Sequence, residues 1–435
     1  MKKRFKILLF TLGVFNFLQA QELLTVDKAI AIALDKNYDL RISKNDTKIA
    51  SIESRLLNSG YLPRLSASGG INYRNESQNV TFSDGTSLSV EDAVTESYNA
   101  SLTAEYTIFD GLERKFNVEK KEENTNLKKL QERQLIENTI VSIYDAYYNV
   151  AYQAQIEDNL KLNIENSIDR LERAKRKLKY GQGSKLDELN AQVDLNNDSI
   201  SYASAYKDLK NAKRNLNLIL GRDVKQTFVI DTTIVFAAPL SENEILESAK
   251  ENNITSILNQ QNVLLSELDI KIYKAKFLPK INGSASYNWN ESQNPPTSFA
   301  LANEAYGLNL GFNLSWNIFD GGNNATRIET SKITRKNREI ELYRANEALK
   351  TEIFNAYEDY INRKFTLRSE AKNVETNRLN FTRTQKQYSL AQITTVEFRQ
   401  AQINLLNALN NFARAKYDLK VSEINLLQLA GILIN

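Results

Sequence analysis

The chain is written twice, and whatever it folds into has to place two copies of one pattern. Leu62-Pro63-Arg64 returns as Leu278-Pro279-Lys280, a shift of 216 residues that the preceding helical segments also keep. Asn75-Glu-Ser-Gln-Asn79 returns as Asn290-Glu-Ser-Gln-Asn294. Ile108-Phe-Asp-Gly111 returns as Ile318-Phe-Asp-Gly321 and Ala191-Gln192 as Ala401-Gln402, both at a shift of 210, and Gly221 matches Gly431. A repeat has to be recognised before single elements are assigned, because missing it misassigns the whole fold. The change of shift places a six-residue difference in a loop between the prolines and the Phe-Asp-Gly motifs. Each half reads helix, two strands, very long helix, turn, helix. The first repeat is expected over 21–221, with helices in 25–60, strands 65–79 and 97–108, a long helix 112–179 and a return helix 185–220. A linker follows over 222–240. The second repeat is expected over 241–435, with helices in 241–277, strands 281–291 and 305–318, a long helix 322–390 and a return helix 395–430.

The strands alternate cleanly. Tyr98, Ala100, Leu102, Ala104, Tyr106 and Ile108 are apolar, and the residues between them, from Ser97 to Thr107, are polar. Leu308, Leu310, Phe312, Leu314, Trp316 and Ile318 repeat the pattern, as do Leu65, Ala67, Ile71 and Tyr73, and Ile281, Ala285, Tyr287 and Trp289. One face is apolar and one is wet. Both tryptophans lie on the apolar faces. With Tyr73, Tyr98, Tyr106 and Tyr287 beside Trp289 and Trp316, they suit an interfacial aromatic girdle. The competing reading is a half-buried sheet over a soluble core.

Strand count separates the two. A membrane sheet with open edges would leave backbone groups unpaired in hydrocarbon, and four strands cannot close alone. Eight strands from a dimer would make a barrel filled by side chains. The inward positions here are small and polar, suited to line water, so twelve strands from a trimer fit better.

Between Leu112 and Lys179 there is neither Pro nor Gly, and Ile136, Ile140, Ile143, Tyr147, Val150 and Ala154 recur at steps of four and three. That is a heptad seam. The return helix carries Ala205, Leu209, Ala212, Leu216 and Ile219 in the same rhythm, and Phe398, Ala401, Leu405, Ala408, Phe412, Ala415 and Leu419 repeat it. At 1.5 Å per residue the first long helix extends roughly 100 Å. No compact domain is that deep, so it has to protrude. Tyr144, Tyr148 and Tyr152 lie off the seam, which calls for neighbours on two sides, as in a wall of helices.

Composition removes other functions. The chain of 435 residues has neither Cys nor His, so it lacks the commonest general base, the commonest metal ligand and any thiolate nucleophile. No nucleotide-binding glycine loop is present, and an enzyme is not expected; nor is a cofactor or metal. Lys2, Lys3, Arg4 and Lys6 ahead of an apolar run from Ile7 to Leu18 and the small Ala20 predict a secretory signal peptide over 1–20. Without those four cations the chain holds 52 basic against 53 acidic residues, which gives no reason to expect nucleic acid as a partner.

Together these features resemble the TolC-like outer-membrane factor family, the exit ducts of tripartite drug efflux pumps and type I secretion systems. The motifs that carry the resemblance are the helix-to-strand junctions at Pro63 and Pro279, the strand-to-helix junctions at Asp110-Gly111 and Asp320-Gly321, and the helical turns before Asp187 and Glu397, in duplicate and in order. Physical reasons stand beside it. Each Pro pushes the preceding residue out of the helical region, each Asp can cap a long helix, and each Gly allows a sharp change of direction.

The resemblance implies an internally duplicated subunit of mixed α and membrane-β class. Its homotrimer forms a 12-stranded outer-membrane β-barrel, four strands per chain, set in outer-membrane lipid and continued by a periplasmic α-helical coiled-coil barrel. It implies passive conduction of cargo from an inner-membrane pump, of RND or ABC type, and a periplasmic adaptor protein. It also implies that Asp187 and Tyr388 hydrogen-bond at the periplasmic entrance and that Glu397 forms a ring of three carboxylates there. Gln400 stands where one branch has a second acidic ring, and Ile393 where it has a latch arginine. The turn Gly181-Gln-Gly183-Ser184 resembles an adaptor-docking tip, and its repeat Ala391-Gln-Ile-Thr394 has lost both glycines. The 222–240 linker resembles an equatorial belt, with strand-like Phe228-Val-Ile and Ile234-Val-Phe runs. Two alternatives are a periplasmic coiled-coil adaptor, which would need compact β-domains, and a substrate-specific porin, which would lack helices this long.

Overall fold

The computed structural model describes residues 23–237 and 241–434, so the expected signal peptide and residues 238–240 of the linker lie outside the described residues. In chain order the elements are β1 (Leu23–Leu24), α1 (Val26–Lys36), α2 (Tyr38–Glu53), β2 (Arg64–Thr81), β3 (Ser87–Phe109), α3 (Glu113–Lys179), α4 (Lys185–Ile219), β4 (Val229–Ile230), α5 (Glu242–Asn252), α6 (Ile254–Ala275), β5 (Lys280–Gln293), β6 (Ala302–Ser315), α7 (Asn323–Ser389) and α8 (Thr395–Leu429). The two long helices have 67 residues each and the two return helices 35 each.

The chain divides into two compact units, each drawn from both repeats. One holds the chain up to Arg41 with Leu135–Ala249 and Glu352–Asn435; the other holds Ile42–Gln134 and Lys250–Thr351.

The second unit contains an antiparallel sheet in the order β2-β3-β5-β6. Its register puts the apolar positions on one face. Ala67 stands opposite Leu102, Leu102 opposite Tyr287, and Tyr287 opposite Leu308. The same face carries Ile71, Tyr73, Leu310, Phe312 and Leu314, and each of these is more than 60% exposed. A sheet laid over a soluble core would bury that face, so the half-buried alternative does not hold. On the other face Ser68 bonds Ser101 at 2.8 Å and the Thr107 hydroxyl donates to Asn282 at 3.0 Å. β2 and β6 each pair on one side alone, which leaves two open edges.

Most boundaries shift from the sequence expectation by one to three residues, and three differences have a visible cause. β3 begins at Ser87 rather than 97, because Ser87 to Val94 pair back onto Thr81 to Asn75 past a bulge near Glu76. β6 ends at Ser315, so Trp316 and Ile318 lie beyond the strand, and the Trp316 indole donates to the Phe277 carbonyl at 3.0 Å. The helical segment over 25–60 breaks at Asn37, whose Oδ1 accepts the Leu40 N–H at 3.0 Å and starts α2. Asn253, one repeat on at the same shift of 216, starts α6 by accepting from Thr255 and Ser256.

In the first unit, Ile143, Tyr147 and Val150 of α3 pack with Ala212, Leu216 and Leu220. The core also takes in Leu24, Ala29, Ala33, Phe228 and Ile230. β1 pairs in parallel with β4 of the linker, while the Ile234-Val-Phe run forms no strand. The Tyr147 hydroxyl donates to the Leu24 carbonyl at 2.8 Å, and burial pushes its pKa up to about 12. No described helix is long and apolar enough to cross a membrane.

Candidate functional site

The junctions use the residues the repeat singled out. Pro63 and Pro279 immediately precede β2 and β5. Asp110 accepts the Arg114 N–H at 3.1 Å and its Nε at 2.9 Å, and Asp320 accepts the Asn324 N–H at 2.8 Å, so both cap the long helices. Gly111 has φ +69°, and a Cβ on it would stand 2.4 Å from the Ala275 carbonyl oxygen, so no other residue fits. Gly321 has φ +70° in open space.

Tyr73, Tyr98 and Trp289 lie toward the hairpin-loop end of the apolar face, with Tyr306 opposite Trp289. Tyr106, opposite Gly283, and Trp316 lie at the helical end, and Tyr287 sits one dyad inside Trp289. The Trp289 indole donates to Glu304 at 3.2 Å. The aromatics thus flank a band of aliphatic side chains.

At the tips, α3 and α7 end in the same turn. Gln182 N–H reaches the Lys177 carbonyl at 2.8 Å, and Gln392 N–H reaches that of Gln387 at 3.0 Å. This is a Schellman closure with Gly181 at φ +71° and Ala391 at φ +59° in the left-handed position. The second tip therefore keeps the backbone of the first without its glycine. Gly183 is the other glycine absent from the second tip; a Cβ there would stand 2.9 Å from the Lys177 Cβ.

The return helices start with capping boxes. Ser184 accepts the Asp187 N–H at 3.1 Å while the Asp187 carboxylate takes the Ser184 hydroxyl at 2.7 Å and its N–H at 3.3 Å. Thr394 and Glu397 repeat this, with both bonds to the Glu397 carboxylate at 2.8 Å. The Thr394 N–H and hydroxyl hold the Glu397 pKa below its ordinary value. Tyr388 is buried and stacks on Phe398 with ring centres 4.6 Å apart, and the Lys177 ammonium lies 5.2 Å from its centroid. Among the described residues Asp187 and Tyr388 share no hydrogen bond within the chain. Gln400 donates to Asn404 at 2.8 Å and lines a shallow groove with Ile393, Glu397, Thr384 and Gln387.

Above the tips is a buried polar cluster that sequence reading missed. Asp198 of α4 takes Arg399 of α8 bidentately at 2.8 Å on each oxygen and the Ser167 hydroxyl of α3 at 2.6 Å. Arg170, with a fully buried side chain, holds Asp194 at 2.5 Å. No local pattern in the sequence signals it, because Asn163, Ser167 and Arg170 stand one residue before Ile164, Ile168 and Leu171, which continue the apolar rhythm. Among the described residues no group of acidic side chains could hold a metal ion.

The sequence pattern of the outer membrane efflux protein family matches residues 29–222 and 248–432, one stretch in each repeat. No curated protein matches the sequence. The fold is similar to that of the Campylobacter jejuni CmeC outer membrane channel, with a TM-score of 0.77 at 14% identity over 94% of this chain and 86% of that one. For CusC, described by its conformational changes on folding and transmembrane channel formation, the TM-score is 0.74 at 16% identity over 93% and 92%. For the open state of the Neisseria gonorrhoeae MtrE outer membrane channel it is 0.70 at 16% over 94% and 89%. The chain belongs to the outer membrane efflux protein family, a family of channel proteins that reside in the outer membrane with their helical part in the periplasm.

Proposed function

We propose that three copies of this chain form a gated exit duct that conducts cargo passively from an inner-membrane pump and its periplasmic adaptor to the exterior. The observation that carries this reading is the four-stranded sheet, with its apolar face exposed and both edges open. In hydrocarbon an open edge costs several kcal/mol per unpaired backbone group, so edge β2 of one copy has to meet edge β6 of the next. Three copies give twelve strands. The helical part also calls for neighbours: α7 has only Ile353, Tyr360 and Tyr388 buried, while Ile333, Ile340, Tyr343, Phe365 and Leu379 are each more than half exposed. Apolar side chains spaced along a helix in this way call for partner helices.

The duct closes at the helical tips, around Asp187, Tyr388 and Glu397, and the adaptor docks on the turns at Gly181, Gly183 and Ser184 and at Ala391 and Thr394. An open state is named for MtrE, and a gate on this chain accords with that. Inner-membrane pumps of RND and ABC type both fit a passive duct. The mass of the detergent-solubilised protein tests the assembly: three copies are expected, and a stable dimer would overturn the twelve-strand reading. For the gate, Asp187→Ala or Tyr388→Phe raises conductance in planar bilayers; no change in either removes both residues from it.

A further inference from the structure

At the tips themselves little joins the two helical hairpins, α3–α4 and α7–α8. The carboxylates of Asp187 and Glu397 bond to the caps of their own helices, and one contact across is the Lys177 ammonium over the Tyr388 ring. Ile393 and Gln400 add no charge. Within about four helical turns of the tips the situation reverses. Arg399 of the second hairpin meets Asp198 of the first through two bonds of 2.8 Å, and its Nε lies 3.7 Å from Asp194. Arg170 and Ser167 brace the two aspartates from α3. One turn further, Gln402 donates to Asn163 at 2.7 Å and to Ser167 at 3.2 Å, and beyond it Asn159 donates to Asn410 at 3.0 Å.

We infer that the Arg399–Asp198 pair, braced by Arg170, Asp194 and Ser167, is the tie that holds the second hairpin against the first in the closed duct and has to release when the helices splay. The inference rests on reading the chain as a gated duct. Four properties make this cluster a switch rather than a packing detail. It balances two guanidinium groups against two carboxylates, so it stands closed without net charge. A bidentate guanidinium–carboxylate pair is planar and directional, so α8 cannot slide past α4 by even one residue and keep both bonds. The Arg170 side chain is wholly buried and, among the described residues, its Nε and Nη1 have no hydrogen-bond partner, so this guanidinium depends on Asp194 and the closed cluster holds only while that partner stays in place. Separation admits water, which hydrates each ion on its own, so the open arrangement is a second defined state rather than a broken one.

The test is open fraction in planar bilayers for the full-length protein. Asp198→Asn and Arg399→Gln each raise it by about 5- to 100-fold, the usual range for a coupling between two states. Arg399→Lys, which keeps the charge but not the fork, falls between wild type and Arg399→Gln. Because the chain has no cysteine, Asp198→Cys with Arg399→Cys accepts a bifunctional thiol cross-linker at one place only. The cross-linked protein stays at the closed conductance, and this arm decides the matter if the single variants assemble poorly. Variants and cross-linked protein that open as wild type does would overturn the tie alone; a wild-type protein that never conducts would overturn the duct reading and the tie with it.

Discussion

Both long helices close with the same turn, but only one has glycine at the left-handed position. Gly181 has φ +71° and Ala391 has φ +59°. The flanking hydrogen bonds match, with Gly181 N–H on Leu178 at 3.0 Å and Ala391 N–H on Tyr388 at 3.1 Å. A side chain in this region costs roughly 1–2 kcal/mol. The greater freedom of glycine in the unfolded chain offsets about 0.5–1 kcal/mol of that. Ala391→Gly should therefore stabilise the second tip by about 0.5–1 kcal/mol, a factor of about two to five in its opening equilibrium. Gly181→Ala should weaken the first tip by the same amount, since a Cβ there meets nothing within 4 Å and only φ is at issue. Local opening is what distinguishes the variants, so the assay is amide hydrogen exchange at 391–392 and 181–182 in the solubilised complex, corrected for intrinsic rates. Equal protection in variant and wild type at both tips, or changes of the opposite sign, would refute the reasoning.

Other outcomes follow from single residues. Leu310→Arg, on the exposed apolar face, should cost about 2–4 kcal/mol of barrel stability if that face meets lipid and almost nothing if it meets water; the yield of heat-resistant assembled protein distinguishes them. Gly111→Ala should cost at least about 2 kcal/mol by overlap with the Ala275 carbonyl, and Gly321→Ala clearly less because its surroundings are open; denaturant titration ranks the two. Glu397 has its pKa lowered in the folded state, so its cap contributes above the ordinary glutamate range and is lost as pH falls through the folded value. Hydrogen exchange at the start of α8 should therefore speed up in acid, and Glu397→Gln should flatten that dependence. Tyr147 is raised to about 12, so its contribution is complete below pH 10 and lost as pH climbs through about 12. Phenolate absorbance of Tyr147, read by difference from Tyr147→Phe, should reach only about a tenth of its full value at pH 11, where an ordinary tyrosine is about nine-tenths ionised.

Much of this was legible in the sequence because the environment repeats at the period of the element. Strands with one apolar face show themselves by alternation, and the long helices by the absence of Gly and Pro. The extension of β3 back to Ser87 was not legible, because Ser87 to Thr95 mixes polar and apolar residues without strict alternation and its pairing is fixed by the hairpin turn near Thr81. The break at Asn37 was hidden inside a continuous helical pattern, although its copy at Asn253 marked the same place in the other repeat. At the tips the caps were not anticipated: a carboxylate three residues after Ser184 or Thr394 satisfies the nearest free N–H and hydroxyl, its own cap, before it reaches a neighbouring helix. The Arg170–Asp194–Asp198–Arg399 cluster depends on three helices meeting, and no local pattern in one helix encodes that. Loss of glycine at Ala391 did not alter the turn, since the two flanking hydrogen bonds hold the strained residue in place.

Three open sheets that close around water make a conducting pore. Purified wild-type protein in planar lipid bilayers should give discrete, uniform conductance steps, small while the helical tips are closed and larger when the hairpins part. A protein that inserts as a stable trimer yet leaves the bilayer sealed at every voltage and salt concentration would contradict it.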